Sequence, residues 1–136
     1  MYRVAPALKT KIAAQRVEYE VMTDKIIVLV TCGSRKEARR IARALVEARL
    51  AACVNVLQAP VESVYRWKGK VETAREFLLV IKTLRKKFAA LEGEVRRLHS
   101  YDVPEIIALP IDRGSRPYLA WIDESVRGKQ TAKRRV

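Results

Sequence analysis

The sequence is poor in the residues that build disulfide frameworks and histidine-rich metal sites. Its 136 residues include two cysteines, Cys32 and Cys53, and a single histidine, His99. Two cysteines are too few for a disulfide scaffold, and their wide separation rules out a C-x-x-C pair. One histidine excludes a histidine-rich metal cage. We therefore expect two free thiols that pack as small apolar side chains.

Long apolar runs are also absent. The longest uninterrupted apolar stretches, such as 26–30 and 77–81, have five residues, whereas a membrane-spanning helix needs about 20. The N-terminal residues are interrupted by Pro6 and followed by Lys9 and Lys11, so they do not form the apolar core of a secretory signal. These absences predict a cytoplasmic protein that does not span or bind a membrane.

Acidic residues are outnumbered by basic ones, with 15 Asp and Glu against 28 Lys and Arg and a net charge of +13. Part of this excess lies in residues 127–136, which have no apolar periodicity and are predicted to form a basic, disordered tail. Residues 1–24 also lack a clear pattern and are predicted to be a flexible extension, unless translation starts at Met22. Residues 25–126 remain as one domain.

Hydrophobic periodicity divides this domain into alternating strands and helices. The predicted elements are a strand at 25–32, a helix at 35–50, a strand at 51–58, a hairpin formed by 61–68 and 71–84, a helix at 85–98, a strand at 105–111 and a helix at 117–126. This order indicates an α+β ferredoxin-like βαββαβ sandwich with an extended hairpin and a C-terminal helix. Ser34 is the predicted N-cap of the first helix, with Glu37 in capping-box spacing. The hairpin is longer than one small sheet needs, so its free edges predict a partner chain or a cover.

Motifs of the common enzyme and nucleic-acid-binding classes are missing. No Gly-rich phosphate loop, nucleophile elbow or paired set of catalytic carboxylates is present, so the protein is not expected to be an enzyme. An RNA-binding sheet of this topology needs several aromatic residues on its central strands. The predicted central strands, 25–32 and 71–84, contain a single aromatic residue, Phe77, so specific nucleic-acid binding is not expected.

Aromatic and ionisable residues are concentrated in two segments, one around Tyr65 and the other around Tyr101. In one interpretation, these aromatic rings cover a sheet face and close the turn before the last strand. In the other, they form the walls of a ligand cleft at a subunit boundary. The residues assigned to this candidate cleft are Tyr65, Trp67, Lys82, Tyr101 and Glu105, with His99 beside them.

Several stretches, taken in order along the chain, are typical of one family. These are Ala44–Glu47, Leu50–Asn55, Ser63–Gly69, Val80–Thr83, Leu98–Tyr101, Val103–Ile107 and Tyr118–Trp121. Through them the sequence resembles the CutA family of divalent-cation tolerance proteins over about residues 25–126. The resemblance implies a ferredoxin-like subunit that assembles into a homotrimer similar in architecture to PII-type signalling proteins. It also implies a role in tolerance of copper and other divalent cations.

The resemblance bears on metal binding as well. Members with a proposed copper site use a Cys in the first strand and two adjacent His before a Tyr, and the corresponding positions here are Val30, Leu98 and His99. Cys32 lies two residues after Val30, on the same face of the predicted strand. His99 and Cys32 are therefore candidate ligands for weakly bound Cu or another divalent cation.

These observations lead to one expected function and one alternative. The expected function is that of a non-enzymatic homotrimer in the divalent-cation response, which binds a metal weakly or a small ligand at the subunit cleft. The alternative is a trimeric scaffold or signalling protein without a physiological metal site. In that case the basic helix residues Arg39, Arg40 and Arg43 would face a protein partner.

Overall fold

A computed structural model describes residues 23–127, and its elements follow the predicted order. They are β1 (Lys25–Cys32), α1 (Arg35–Glu47), β2 (Cys53–Val56), β3 (Val61–Trp67), β4 (Lys70–Leu84), a 3-10 turn (Arg85–Lys87), α2 (Phe88–Leu98), β5 (Ile106–Pro110) and α3 (Arg116–Arg127). The strands form an antiparallel sheet in the order β2-β4-β1-β5, and β3 pairs with the far half of β4. The α+β ferredoxin-like prediction is confirmed, with β1 and β4 as the central strands.

The hydrophobic core lies between one face of the sheet and the two helices α1 and α2. Alternate residues of β1, including Val28, Val30 and Cys32, point into it and are fully buried. The other buried members of this core include Ala38, Ile41 and Leu45 of α1, Leu79 and Ile81 of β4, and Leu91 and Val95 of α2. The three- and four-residue spacing of these helix positions is what places both helices on the same face of the sheet.

The opposite face of the sheet is also apolar, and we call it the open face. Its apolar residues alternate with the core positions on the three neighbouring strands and are Ile27, Leu29, Leu78, Val80, Ile107 and Leu109. Lys82, which pairs with Ile27, lies on the same face. The helix α3 packs through Leu119, Ile122 and Val126 around Leu84, at one end of this face. Further along it, Ile107 and Leu109 of the edge strand are each 49% exposed.

The helix predicted at 35–50 and the strand predicted at 51–58 are both shorter in the structure. The first helix was predicted to continue to residue 50 but ends at Glu47, because Arg49 takes a left-handed backbone conformation with φ 58°. The Arg49 guanidinium donates to the carbonyl oxygen of Ser125 at 2.8 Å, which ties this corner to α3. The strand predicted at 51–58 is limited to Cys53–Val56, the residues that pair with β4.

The extended hairpin is confirmed. Lys68 and Gly69 form its two-residue turn with φ values of 52° and 80°, the positive-φ pair that matches the twist of a tight hairpin. All seven residues of β3 pair with β4, from Val61 opposite Glu76 to Trp67 opposite Lys70. Within the described residues, no strand pairs with the other edge of β3.

The predicted extension 1–24 and tail 127–136 fall almost entirely outside the described residues. At the boundaries, the Thr23 hydroxyl donates to the carbonyl oxygen of Ile111 at 2.6 Å, and the carbonyl oxygen of Asp24 accepts from the Arg85 amide at 2.7 Å. Arg127 is the last residue of α3. In the part of the chain that is described, no helix is long and apolar enough to cross a membrane.

Replacing Ser34 tests the cap that starts α1. The Ser34 hydroxyl accepts from the Glu37 amide at 3.1 Å, so Ser34→Ala should lower the free energy of unfolding by about 1 kcal/mol. Urea unfolding at a fixed protein concentration measures the change. Ser34→Asp restores an acceptor and is the matched control, and an unchanged urea midpoint for Ser34→Ala would show that the cap contributes nothing.

Candidate functional site

A cleft of about 630 Å³ lies between the hairpin and residues 100–105, which we call the cleft segment. Four of the five predicted cleft residues line it together: Tyr65 and Trp67 from β3, and Tyr101 and Glu105 from the cleft segment. The hairpin forms one wall because Tyr65 and Trp67 are two residues apart and project to the same side of β3. The segment between α2 and β5 forms the other wall.

The charged residues that line the cleft are acidic. They are Glu76, Asp102 and Glu105, and the cleft lining contains no lysine or arginine among the described residues. In a chain with a net charge of +13 this is a local reversal of sign. Carboxylates beside aromatic faces favour a positively charged ligand, because both attract cations.

Tyr101 joins the two walls. Its hydroxyl donates to Glu76 Oε2 at 2.9 Å, and Glu76 itself is buried. Burial and this hydrogen bond hold the pKa of Tyr101 above its usual range. A Cβ at Gly33 would lie 3.1 Å from the Tyr101 hydroxyl oxygen, so the absence of a side chain at Gly33 leaves room for the phenol. Tyr101 is therefore a fixed, protonated donor on the cleft wall.

His99 does not itself line the cleft but lies next to one of the residues that do. Its ring is buried behind Tyr101, with the two ring centroids 4.7 Å apart. Nε2 lies 2.8 Å from the carbonyl oxygen of Thr31, and Nδ1 lies 3.1 Å from the Tyr101 amide. Because a carbonyl only accepts and an amide only donates, Nε2 carries the proton and Nδ1 holds the lone pair. His99 thus supports the cleft wall from behind.

Glu37 is a site residue whose position in the sequence indicates only a capping box. The Ser34 hydroxyl does cap Glu37, but the Glu37 carboxylate does not return to Ser34. Instead its two oxygens accept from the Ser100 amide at 2.6 Å and the Ser100 hydroxyl at 3.1 Å. The second half of the predicted capping box is therefore wrong, since the carboxylate fastens the cleft segment to α1. No local sequence signal distinguishes these two roles for Glu37.

Cys32, Glu37 and His99 form a buried cluster in which one ligand atom of each residue lies within 4.8 Å of the others. A thiol, a carboxylate and an imidazole are donors that zinc and copper use in proteins. Burial, together with Glu37 and Glu76, raises the pKa of the Cys32 thiol to about 12. The donor types therefore fit a metal ion, but binding would have to release the thiol proton and displace the Tyr101 amide from His99.

Lys82 does not line this cleft within one subunit. It lies on β4 opposite Ile27 and Cys53, and its ammonium group donates to Asn55 Oδ1. The strand carries it away from Glu76 by roughly 20 Å at the rise of an extended chain. The length of β4 is the physical reason, because one strand passes both the cleft and the far end of the sheet.

The buried thiol makes a prediction for alkaline pH. In the unfolded chain Cys32 ionises near its ordinary pKa of 9.0, whereas in the folded protein it keeps its proton until about 12. Because the unfolded state then binds fewer protons, the free energy of unfolding should fall as the pH rises from 9 towards 12. Urea unfolding across this range should show a shallower fall for Cys32→Ser than for the wild type. If the free energy of unfolding falls equally steeply with pH in both proteins, Cys32 does not have a raised pKa in the folded state.

Comparisons with known proteins agree with this architecture. Residues 26–125 match the model of a family described as CutA1 divalent ion tolerance protein. Over 99 residues, 73% of this chain and 95% of the relative, the sequence is 48% identical to the divalent-cation tolerance protein CutA of Archaeoglobus fulgidus. A solved structure described as the periplasmic divalent cation tolerance protein CutA from the same organism is similar with a TM-score of 0.72 at 46% identity, covering 75% of this chain and 98% of that chain. Protein CutA, chloroplastic, of Arabidopsis thaliana is 38% identical over 133 residues, 93% of this chain and 72% of the relative.

The cytoplasmic prediction is contradicted by these comparisons. The relatives are described as periplasmic in Archaeoglobus fulgidus and chloroplastic in Arabidopsis thaliana. The prediction depended on the absence of a secretory signal near residue 1. Compartment is set by targeting segments rather than by the fold of the domain they deliver, so domain composition does not decide it.

Proposed function

Because the chain belongs to the CutA1 divalent ion tolerance protein family, we propose that it acts as a non-enzymatic homotrimer whose cleft binds a small organic cation. The observation that carries this proposal is the convergence of three aromatic side chains and three carboxylates on one cleft. The family is named for tolerance of divalent ions and not for a reaction. A binding role therefore fits the family and the site better than catalysis.

The geometry of the cleft favours an organic cation over a bare metal ion. Among the described residues, the one group of three potential metal ligands close enough to share an ion is the buried cluster, which contains none of the cleft carboxylates. A protonated or quaternary amine does not need several ligand atoms close to one point, because its charge is spread over a larger surface. It gains from the faces of Tyr65, Trp67 and Tyr101 and from nearby negative charge.

The homotrimer is supported by two surfaces that a single subunit leaves uncovered within the described residues. The open face is an apolar sheet surface that includes the half-exposed Ile107 and Leu109, and contiguous apolar surface of this kind is typical of subunit interfaces. The unpaired edge of β3 is the second surface. A ring of three copies satisfies both, because each subunit presents one surface to the next.

A second candidate function is metal binding by the buried cluster, with Cys32 and His99 as predicted and Glu37 as the third ligand. The observation that favours it is the 4.8 Å grouping of their ligand atoms. Copper or another divalent cation would be held weakly, because the Cys32 thiol must first lose its proton.

The alternative of a basic docking surface has less support. Arg40 donates to the carbonyl oxygen of Leu98 at 2.8 Å, and Arg39 donates to the side chain of Gln58 at 3.2 Å. Arg43 lies 3.6 Å from Glu47 on the same helix. These arginines already use some of their N–H donors within the subunit, so fewer donors are available to a protein partner.

Titration with tetramethylammonium tests the cleft. We expect it to change the fluorescence of Trp67, and Glu105→Gln should weaken binding by roughly tenfold, because a charged partner is lost. Trp67→Ala should abolish the fluorescence response, and isothermal calorimetry provides a second measure of affinity. Glu92→Gln, on the exposed surface of α2, is the matched charge control. Equal affinities for Glu105→Gln and Glu92→Gln would overturn the proposed cation site.

The assembly is tested by light scattering coupled to size-exclusion chromatography. The wild type should have three times the 15.5 kDa chain mass, and its thermal midpoint should rise with protein concentration if unfolding is reversible. Leu109→Lys places a charge on the open face and should dissociate the trimer. Val46→Lys, at a 41% exposed position on α1, is the control that should leave the mass unchanged. A monomeric wild type would exclude the trimer.

A further inference from the structure

The His99 imidazole has one atom that can accept a metal, and that atom already holds the cleft segment. Nε2 is protonated and donates to the carbonyl oxygen of Thr31 at 2.8 Å. Nδ1 carries the lone pair, and the Tyr101 amide donates to it at 3.1 Å. Although Nδ1 lies 3.9 Å from Glu37 Oε2, this contact is not an ion pair, because Nδ1 acts as an acceptor. A metal at Nδ1 must therefore replace the Tyr101 amide.

The Glu37 carboxylate also accepts hydrogen bonds from the cleft segment. Its oxygens accept from the amide and the hydroxyl of Ser100, the residue before Tyr101, at 2.6 and 3.1 Å. Two of the three residues in the buried cluster thus hold two consecutive residues of the cleft segment. The third residue, Cys32, follows Thr31 on β1. The carbonyl oxygen of Thr31 accepts the hydrogen bond from His99 Nε2. The Glu37 carboxylate and His99 Nδ1 are therefore both ligand groups of the cluster and acceptors that hold the segment.

The fastened segment is a wall of the cleft. Tyr101, Asp102, Val103 and Glu105 all line it, and the Tyr101 hydroxyl reaches across to Glu76 at 2.9 Å. Displacing the Ser100 and Tyr101 amides would leave them without their acceptors in a partly buried site. Unpaired buried amides are unfavourable, so the segment would move to water and the cleft wall would move with it.

We propose that the Cys32–Glu37–His99 cluster is a metal-responsive fastening, so that a borderline divalent cation bound there releases the cleft segment and weakens ligand binding in the cleft. This inference rests on the proposed cleft function. The cation class follows from one sulfur, one nitrogen and one carboxylate donor, the mixture that suits Zn²⁺. Binding exchanges the Cys32 thiol proton for the metal. By linkage, a ligand in the cleft opposes metal binding by the same factor.

The experiment uses the full chain carrying Trp121→Phe, so that Trp67 is the only remaining one of its two tryptophans. Co²⁺ replaces Zn²⁺ as the metal probe, because its thiolate charge-transfer absorption reports ligation by Cys32. Tetramethylammonium is the cleft probe and is followed by Trp67 fluorescence. Hydrogen exchange of the backbone amides in residues 100–105, measured by mass spectrometry, reports release of the segment directly.

We expect Co²⁺ to produce the absorption band, to raise exchange in the cleft segment and to lower tetramethylammonium affinity about fivefold or more. Cys32→Ser should remove all three responses, whereas Cys53→Ser, the matched cysteine control, should retain them. Glu37→Gln weakens the fastening itself, so exchange in the segment should rise without metal.

Two results would overturn the coupling. One is a Cys32-dependent absorption band with unchanged exchange and unchanged tetramethylammonium affinity, and the other is the absence of any such band. A third result separates the coupling from the proposed function. If Co²⁺ raises exchange in the segment but tetramethylammonium does not bind even without metal, the coupling stands and the organic-cation cleft is wrong.

Discussion

The imidazole of His99 determines where the cleft segment lies relative to the sheet. Nε2 donates a hydrogen bond to the carbonyl oxygen of Thr31 on β1, and Nδ1 accepts one from the Tyr101 amide in the cleft segment. Because the ring is planar and buried, these two hydrogen bonds fix the distance and direction between the strand and the segment. Losing the ring would leave the buried Thr31 carbonyl and the partly buried Tyr101 amide without these partners. The position of every cleft residue from Tyr101 to Glu105 depends on this arrangement.

The two walls of the cleft differ in how they are held. The hairpin wall is part of a continuous ladder with β4, so Tyr65 and Trp67 have positions set by backbone pairing along the whole strand. The opposite wall has no regular secondary structure and is fastened by side chains, namely His99, Glu37 and the Tyr101–Glu76 contact. A site of this construction can change its opening without unfolding the sheet. The family to which the chain belongs is described by tolerance of divalent ions.

Much of the fold was predictable because it depends on local patterns. The bounds of β1, the Ser34 cap and the positive-φ turn at Gly69 follow from alternation, capping preference and turn chemistry. The cleft aromatics were found for the same reason, since Tyr65 and Trp67 share a strand face. Long-range placement was not predictable in this way. Lys82 does not lie at the cleft of one subunit, and no local pattern fixes the register between β4 and the cleft segment.

The contact of Glu37 with Ser100 was also not predictable from local sequence patterns. Its spacing from Ser34 indicates a capping box, and only the folded arrangement brings Ser100, 63 residues away, within reach of its carboxylate. His99 was identified from its rarity in the chain, but its role as an internal support required knowledge of Thr31. Residues that join distant segments through single hydrogen bonds leave no periodic signal in one sequence.

The most direct test of this account is the protonation pattern of the one histidine in the chain. A long-range proton–nitrogen correlation spectrum at neutral pH should show a neutral imidazole with its proton on Nε2 and an unprotonated, hydrogen-bonded Nδ1. Addition of Zn²⁺ should shift the Nδ1 resonance and leave the Nε2 proton in place. A proton on Nδ1 in the metal-free protein would contradict the hydrogen bond from Tyr101, and with it the link between the buried cluster and the cleft.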